Sequence, residues 1–321
     1  MAVVAWLFPG QGAQAVGMGA DVQRASPAAR AVYEAADRRL GRALSTLCFE
    51  GPSETLTATE NTQPAIVTTS MAILAAMRER LGDALPEPVC AAGHSLGEYS
   101  ALCAAGALSP EDAADVCRVR GAAMQAAAPA DGGAMAAVMG PTGPEVTRLC
   151  EGLTSPDAVV AAANYNAPTQ TVIAGHVAAV ARAGDAAKAE GARVIPLRVS
   201  APFHCALMTP AREPLRHALA STKLTAPRFE VFANVDAQAR SEPDAVVQAL
   251  VDQVDQPVQW VATVRAMQAM GVTHALEVGP GRVLAGLVKR IVGRDLPVLS
   301  VNRLETIDEV PAFLEGEKAR V

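Results

Sequence analysis

The 321-residue sequence is 50% hydrophobic, 19% charged and only 3% aromatic, a composition that excludes an intrinsically disordered chain. Its net charge of −6 at pH 7 argues against nucleic acid as a partner, because phosphate binding needs a basic surface. The first residues lack the features of a signal peptide and no apolar run approaches about 18 residues, so we expect a cytoplasmic protein with no membrane partner.

Short apolar runs alternate with helical stretches, which predicts helices packed on a mostly parallel sheet. Helix starts are indicated by Ser26-Pro27, by Thr62-Gln63-Pro64 before a long helix ending near Gly82, and by Ser109-Pro110. The predicted strands of the main sheet are Val3–Phe8, Val89–Ala92, Phe229–Ala233, His274–Val278 and Pro297–Val301. Several run directly into glycine, and ligands bind beyond the carboxyl ends of such strands, so we expect the site at that rim.

Between Asp131 and Ser200 the predicted order changes to strand, helix, strand, strand, helix, strand. This βαββαβ order is that of a ferredoxin-like unit. We therefore expect an α/β fold in which residues 1–130 and 201–321 form a large domain and residues 131–200 form an inserted ferredoxin-like subdomain. The functional cleft is expected where the two meet.

The segment Gly93-His94-Ser95-Leu96-Gly97 follows a predicted strand and precedes an apolar helix. A Gly-x-Ser-x-Gly turn in this setting is typical of a nucleophile elbow, which exposes the serine hydroxyl. It predicts Ser95 as a nucleophile and makes the large domain α/β-hydrolase-like, with a parallel sheet. The alternative is a glycine-rich turn in which Ser95 only caps the helix, since the bare motif often occurs by chance.

A serine nucleophile needs a base, and the chain contains five histidines. His204 is the best candidate, because Ser200–His204 returns from the inserted subdomain to the large domain, where a cleft wall is expected. His274, in a predicted strand near the rim, is the second candidate, and its alternative is a structural role. The six cysteines are scattered without Cys-x-x-Cys pairs or histidine clusters, so neither disulfides nor a zinc site is expected.

Nine ordered blocks resemble those of the malonyl-CoA:acyl-carrier-protein transacylases of fatty acid synthesis and of the related polyketide synthase acyltransferases. The resemblance covers nearly the whole chain. The blocks are FPGQG-x-Q at Phe8–Gln14, TQPA at Thr62–Ala65, GHSLGEYSAL at Gly93–Leu102, RG-x-x-MQ at Arg120–Gln125, NYN-x-P at Asn164–Pro168, PFHCALM at Pro202–Met208, NVDA at Asn234–Ala237, PVQW at Pro257–Trp260 and EVGPG at Glu277–Gly281.

The resemblance implies Ser95 as the nucleophile and His204 as the base and then the acid. In this family the histidine is oriented by an amide or carbonyl oxygen, and the matching position is Gln259. An oxyanion hole is expected from the backbone amides of Gln11 and Leu96.

Arg120 would bind the free carboxylate of a malonyl group, although a basic residue also suits the end of its predicted helix. Gln63 and Asn166 are expected to line the same pocket. Phe203, directly before His204, would fill the space of a 2-methyl group and so favour malonyl over methylmalonyl units.

The implied function is the ping-pong transfer of malonyl from malonyl-CoA to the phosphopantetheine thiol of an acyl carrier protein. No cofactor or metal is expected, since coenzyme A and phosphopantetheine act as substrates. The holo carrier protein of this class is acidic, and Lys289 and Arg290 are its expected contacts unless they form an ordinary solvated helix end. A monomer is expected. The alternatives are an acyl hydrolase with the same Ser/His pair and an inactive carrier-binding module.

Overall fold

The computed structural model describes residues 2–129, 132–199 and 201–316, and no helix in these ranges is long and apolar enough to cross a membrane. The expected domain junctions at 130/131 and 200/201 involve residues outside the described ones. The strands are β1 (Val4–Phe8), β2 (Cys90–Gly93), β3 (Gly133–Met139), β4 (Val160–Ala167), β5 (Gln170–His176), β6 (Arg193–Pro196), β7 (Glu230–Phe232), β8 (His274–Val278) and β9 (Val298–Val301). The helices are α1 (Ala20–Ala25), α2 (Pro27–Leu40), α3 (Leu44–Glu50), α4 (Ser53–Thr57), α5 (Thr59–Leu81), α6 (Gly97–Ala104), α7 (Pro110–Ala126), α8 (Gly143–Leu153), α9 (Val177–Ala189), α10 (Arg212–Ala220), α11 (Pro243–Asp252), α12 (Trp260–Ala269), α13 (Val283–Val292), α14 (Leu304–Asp308) and α15 (Val310–Leu314).

The main sheet has five parallel strands in the order β7-β2-β1-β8-β9. Its central strand β1 is buried along its whole length, and successive side chains of a strand point to opposite faces. Trp6 and Phe8 pack into the core that includes α5 and α7, whereas Ala5 and Leu7 pack with α12 and α13. Helices therefore cover both faces of the sheet, as expected for an α/β domain.

The second sheet is antiparallel, with the order β4-β5-β3-β6. Helices α8 and α9 cover one face and contribute Val146, Cys150 and Val180 to a separate small core. The first and third strands of the βαββαβ unit, β3 and β5, lie side by side at its centre, and β4 and β6 form its edges, which is the ferredoxin-like arrangement. The predicted fold class is confirmed.

Two backbone hydrogen bonds join the antiparallel sheet to the segment between α11 and α12. The Tyr165 amide donates to the Val258 carbonyl at 2.9 Å, and the Val258 amide donates to the Ala163 carbonyl at 2.9 Å. These bonds fix strand β4 against the segment that leads into α12. As a result, the residues of the NYN block lie beside the rim of the main sheet.

Helix α5 begins earlier than the sequence suggested. It starts at Thr59, so Pro64 lies inside the helix and does not follow its start. Because proline has no amide hydrogen, the carbonyl of Glu60, four residues before Pro64, lacks its usual helical donor. Arg42 Nη2 donates to this carbonyl instead, at 3.4 Å. The Thr62 hydroxyl also donates to the Leu56 carbonyl at 2.6 Å, which ties the first turns of α5 to α4.

Candidate active site

The turn between β2 and α6 brings the strand and the helix unusually close together. A Cβ atom on Gly93 would overlap the backbone of Gly97, and one on Gly97 would overlap the Phe8 carbonyl. Between these glycines Ser95 adopts a φ of 53°, a left-handed conformation that is rare for a residue with a side chain. The Gly-x-Ser-x-Gly segment is therefore a strained elbow that projects Ser95 beyond the carboxyl end of β2.

Ser95 and His204 form a hydrogen-bonded pair. Ser95 Oγ lies 2.7 Å from His204 Nε2, and His204 Nδ1 lies 2.8 Å from the backbone carbonyl oxygen of Gln253. A carbonyl only accepts, so Nδ1 carries the proton and Nε2 is free to accept the proton of the serine hydroxyl. This is the arrangement that a general base needs.

The expected orienting residue, Gln259, is not the one that contacts His204, so that prediction was wrong. Gln259 lies just before α12, where its amide donates to the Asn234 carbonyl at 2.8 Å and its side chain lines a different groove. The acceptor is the main-chain carbonyl of Gln253. Because every residue type has such a carbonyl, a side-chain pattern carries no information about which one faces the imidazole.

Burial sets the protonation state of His204, which is 3% exposed. Removal from water, together with the nearby positive charge of Arg120, lowers the pKa of the His204 imidazole to about 3. The hydrogen bond to the Gln253 carbonyl partly opposes this shift. The free site therefore holds a neutral imidazole at physiological pH, ready to accept a proton.

Arg120, on α7, places its guanidinium beside the nucleophile. Nη1 donates to Gln63 Oε1 at 2.6 Å, while Nη2 donates to Gln253 Oε1 at 2.8 Å and to Ser95 Oγ at 3.2 Å. The residue is 1% exposed, yet it forms no ion pair with a carboxylate in the described part of the chain. A buried cation in this state favours an anionic ligand.

The two predicted oxyanion-hole amides flank the nucleophile. Leu96 follows Ser95 and is the residue before the first turn of α6, and Gln11 lies on the loop after β1 that lines the cavity. Gly10 lets this loop approach, because a Cβ atom there would overlap the His94 carbonyl. Neither amide donates to another described residue, so both are available to an oxyanion.

A cavity of about 350 Å³ opens above the pair and is lined by residues next to both sheets. Gln63 lines it from α5, Asn166 from β4 and Phe203 from the segment that leads into His204. Asn166 Oδ1 lies 2.8 Å from His94 Nε2, so part of its amide is already engaged. The predicted site residues other than Gln259 and Leu96 therefore all line one cavity, and Leu96 directly follows Ser95 in the chain.

Three buried polar residues near the pair had no predicted role: Glu98, Asn234 and Gln253. Glu98 and Asn234 lie within quoted sequence blocks, whereas Gln253 lies in none of them. The second candidate base, His274, stands at the start of β8, where its ring packs edge-on against Phe313 and does not line the cavity.

Comparisons with known proteins agree with this site. Residues 5–305 match the acyl transferase domain family. The chain is 46% identical over 293 residues to the malonyl CoA-acyl carrier protein transacylase of Escherichia coli K12, covering 91% of this chain and 94% of the relative. It is 43% identical over 318 residues to the transacylase of the same name from Bacillus subtilis, covering 99% of each. This chain belongs to the malonyl-CoA:acyl-carrier-protein transacylase family.

Solved transacylase structures share its fold. An acyl-carrier-protein-S-malonyltransferase from Bartonella henselae superimposes with a TM-score of 0.92 at 42% identity, covering 98% of this chain and 100% of the other. A malonyl-transacylase in complex with its type II PKS acyl-carrier protein gives a TM-score of 0.91 at 41% identity, covering 98% and 99%. The family predicted from the sequence blocks is thereby confirmed.

Proposed function

We propose that this chain transfers a malonyl group from malonyl-CoA to the phosphopantetheine thiol of an acyl carrier protein. The observation that carries the proposal is the contact of Ser95 Oγ with both His204 Nε2, at 2.7 Å, and Arg120 Nη2, at 3.2 Å. The pair supplies a nucleophile and its base. The buried Arg120 cation forms no ion pair among the described residues and suits an acyl group that ends in a carboxylate. Family membership supports the same reaction.

In the first half-reaction, His204 Nε2 accepts the Ser95 proton as Oγ attacks the thioester carbonyl carbon. The negative charge that forms on the carbonyl oxygen is stabilised by the amides of Gln11 and Leu96. When the C–S bond breaks, coenzyme A leaves with the proton from His204, and malonyl-Ser95 remains. In the second half-reaction, the carrier thiol gives its proton to His204 and attacks the malonyl ester. When the bond between the acyl carbon and Ser95 Oγ breaks, His204 returns the proton to Oγ, which restores Ser95 and leaves the malonyl group on the carrier.

Arg120 would hold the malonyl carboxylate and so fix the distance between that group and the reacting carbonyl. Its guanidinium is pre-oriented by the two glutamine oxygens of Gln63 and Gln253, and little side-chain freedom is lost on binding. Phe203 lines the cavity beside the base and would limit substitution at C2 of the acyl group. The reaction requires no metal or redox cofactor, because each step is a proton or acyl transfer.

The carrier protein is proposed to dock at the mouth of the cavity, through Arg290. Its Nη1 donates to Gln170 Oε1, and Gln170 lines the cavity, so this cation stands at the rim. Lys289 is exposed but lines a separate groove with Arg282 and Arg294, which makes it the lesser contact. We also propose a monomer located in the cytoplasm, since one chain supplies the whole site and malonyl-CoA is an intracellular metabolite.

The test is intact-protein mass spectrometry after brief incubation with malonyl-CoA, methylmalonyl-CoA or acetyl-CoA, followed by addition of holo carrier protein. We expect a malonyl adduct on Ser95 that moves to the carrier. Loss of the adduct to water without a carrier product would instead indicate a hydrolase, and absence of any adduct would contradict the proposal.

A variant pair tests the role of Arg120. We expect Arg120→Ala to slow malonyl loading by about 100-fold, the loss of a charge-assisted contact, and to slow acetyl loading much less. Arg118→Ala is the matched control. Arg118 lies on the same helix, but it does not line the cavity and forms an ion pair with Asp115, with 2.9 Å between Nη2 and Oδ1. Equal losses with both substrates would contradict a contact between Arg120 and the malonyl carboxylate.

A further inference from the structure

Glu98 is a buried carboxylate in the first turn of α6, close behind the nucleophile in the chain, and it is 3% exposed. One of its oxygens, Oε2, accepts two hydrogen bonds: from Gln253 Nε2 at 2.8 Å and from the Asn234 backbone amide at 2.9 Å. It does not line the cavity and has no part in the mechanism described above. Its two partners, however, both contact that machinery.

Gln253 is the first of these partners, and Glu98 fixes which way its side-chain amide faces. Nε2 donates to Glu98 and to the Ser95 carbonyl at 2.9 Å, which leaves Oε1 to accept from Arg120 Nη2 at 2.8 Å. A flipped amide would present a donor to Arg120 and an acceptor to a carboxylate, and both contacts would be lost. The backbone carbonyl of the same residue accepts from His204 Nδ1. Glu98 thus holds the residue that orients both the base and the guanidinium.

Asn234 is the second partner, and it holds the elbow itself. Its Oδ1 accepts from the Ser95 amide at 2.7 Å, and its Nδ2 donates to the Gly93 carbonyl at 2.7 Å. These bonds span the strained turn at Ser95. Because the Asn234 backbone amide is anchored on Glu98, the carboxylate supports the nucleophile from this side as well.

We infer that Glu98 is a positioning residue for the malonyl transfer proposed above and that it acts in its ionised form, holding Gln253 and Asn234 so that Ser95, His204 and Arg120 keep their relative geometry. It also supplies a buried negative charge. The imidazolium that forms during proton transfer is destabilised by Arg120, and this anion opposes that effect. The Ser95–His204 pair is thus linked to an acidic residue: Gln253 contacts His204, and Glu98 in turn accepts a hydrogen bond from Gln253.

The inference has a pH signature, because the two groups titrate in different ranges. Burial raises the pKa of the Glu98 carboxyl to about 7, although the bonds from Asn234 and Gln253 and the charges of Arg120 and Arg240 oppose the shift. Tyr99 also interacts electrostatically with Glu98, but burial raises the pKa of its hydroxyl and it stays neutral. His204 is already neutral far below this range, since its pKa is about 3. A fall in rate near pH 7 therefore reports on Glu98 and not on the base.

The experiment measures the rate constant for Ser95 self-acylation by malonyl-CoA, by rapid quench and mass spectrometry, from about pH 5.5 to 8.5. This half-reaction avoids titration of the carrier thiol. We expect the unmodified protein to lose about tenfold in rate as the pH falls through 7 and Glu98 takes up a proton. Glu98→Gln keeps an oxygen for both donors but lacks the charge. It should be about tenfold slower at high pH and flat across the range, so that the two curves meet near pH 6.

Glu277→Gln is the matched control. Glu277 is also buried, but its oxygens accept hydrogen bonds from Leu284, Ala285 and Ser300 and from none of the residues that hold Ser95 and His204. It should keep the pH profile of the unmodified protein. A Glu98→Gln profile that matches the unmodified protein would overturn the inference. So would an unmodified profile that is flat between about pH 6 and 8, a result that needs no variant to fold. Absence of any malonyl adduct in the unmodified protein would instead contradict the proposed function.

Discussion

Two strand-to-helix junctions of the main sheet have similar local structure, but only one of them carries the nucleophile. At one, β2 runs through Gly93 into α6; at the other, β8 runs through Gly279 into α13. Both glycines are required by close packing, since a Cβ atom on Gly279 would overlap the Ser70 hydroxyl and crowd Pro9. Each junction also contains a buried glutamate, Glu98 in the first and Glu277 in the second.

The difference lies in what the carboxylate contacts. Glu277 receives the first amides of α13, from Leu284 at 2.8 Å and from Ala285 at 3.0 Å, so the protein itself fills the anion-binding end of that helix. At the first junction the Leu96 amide has no acceptor among the described residues, and Glu98 binds side-chain and backbone donors elsewhere. A free amide beside a strained serine, and not the glycine pattern, distinguishes the reactive junction.

The largest expected effect separates two serines: Ser95, in the first junction, and Ser300 on β9, which contacts the glutamate of the second. Ser95→Ala should abolish the malonyl adduct, because the nucleophile is removed. Ser300→Ala removes a hydroxyl that donates to Glu277 at 2.8 Å and should leave adduct formation intact. Intact mass after incubation with malonyl-CoA checks both variants. An adduct that persists on Ser95→Ala would mean that another residue is acylated.

The next effect concerns the approach of α6 to β1. Gly97→Ala should destabilise the fold by about 3 kcal/mol or more, because its Cβ atom meets the Phe8 backbone, which has little room to move. Urea unfolding followed by circular dichroism measures the loss. A change below about 1 kcal/mol would show that the elbow has more space than the structure gives it.

The two glutamates should also differ in stability when each is changed to glutamine. In Glu277→Gln, both oxygens face donors, so the new amide group must oppose one of them, and we expect a loss of about 1–3 kcal/mol. In Glu98→Gln a single oxygen serves both donors and remains, so the loss should be smaller. Equal losses of unfolding free energy in the two variants, measured by urea unfolding, would show that the two carboxylates do not differ in how their oxygens are used.

The smallest expected effect has the opposite sign. Gly286 lies within α13, and a Cβ atom there meets nothing within 4 Å. Gly286→Ala should therefore raise stability by about 0.5–1 kcal/mol through helix propensity, with unchanged acylation. Thermal unfolding measures the gain. Destabilisation would show that Gly286, like Gly279, is required by close packing at the second junction.

Much of the fold follows from local sequence signals. Strands β2 and β8 of the main sheet end where apolar runs meet glycine, and the βαββαβ order of the inserted unit is visible in its alternating elements. The start of α5 could not be predicted, because Pro64 normally begins a helix. Inside α5 the proline leaves the Glu60 carbonyl without a helical donor, and Arg42, which is distant in sequence, donates to that carbonyl.

The sequence by itself determined the residues whose side-chain chemistry is specific: Ser95 in its elbow, His204 at the return to the large domain, and Arg120 through its family block. Only the tertiary structure decided what holds them. Gln253 orients His204 through a main-chain carbonyl, which has no sequence signature, and Glu98 acts through a hydrogen bond to a residue far along the chain. Such contacts depend on folded distances and burial, and a linear pattern contains neither.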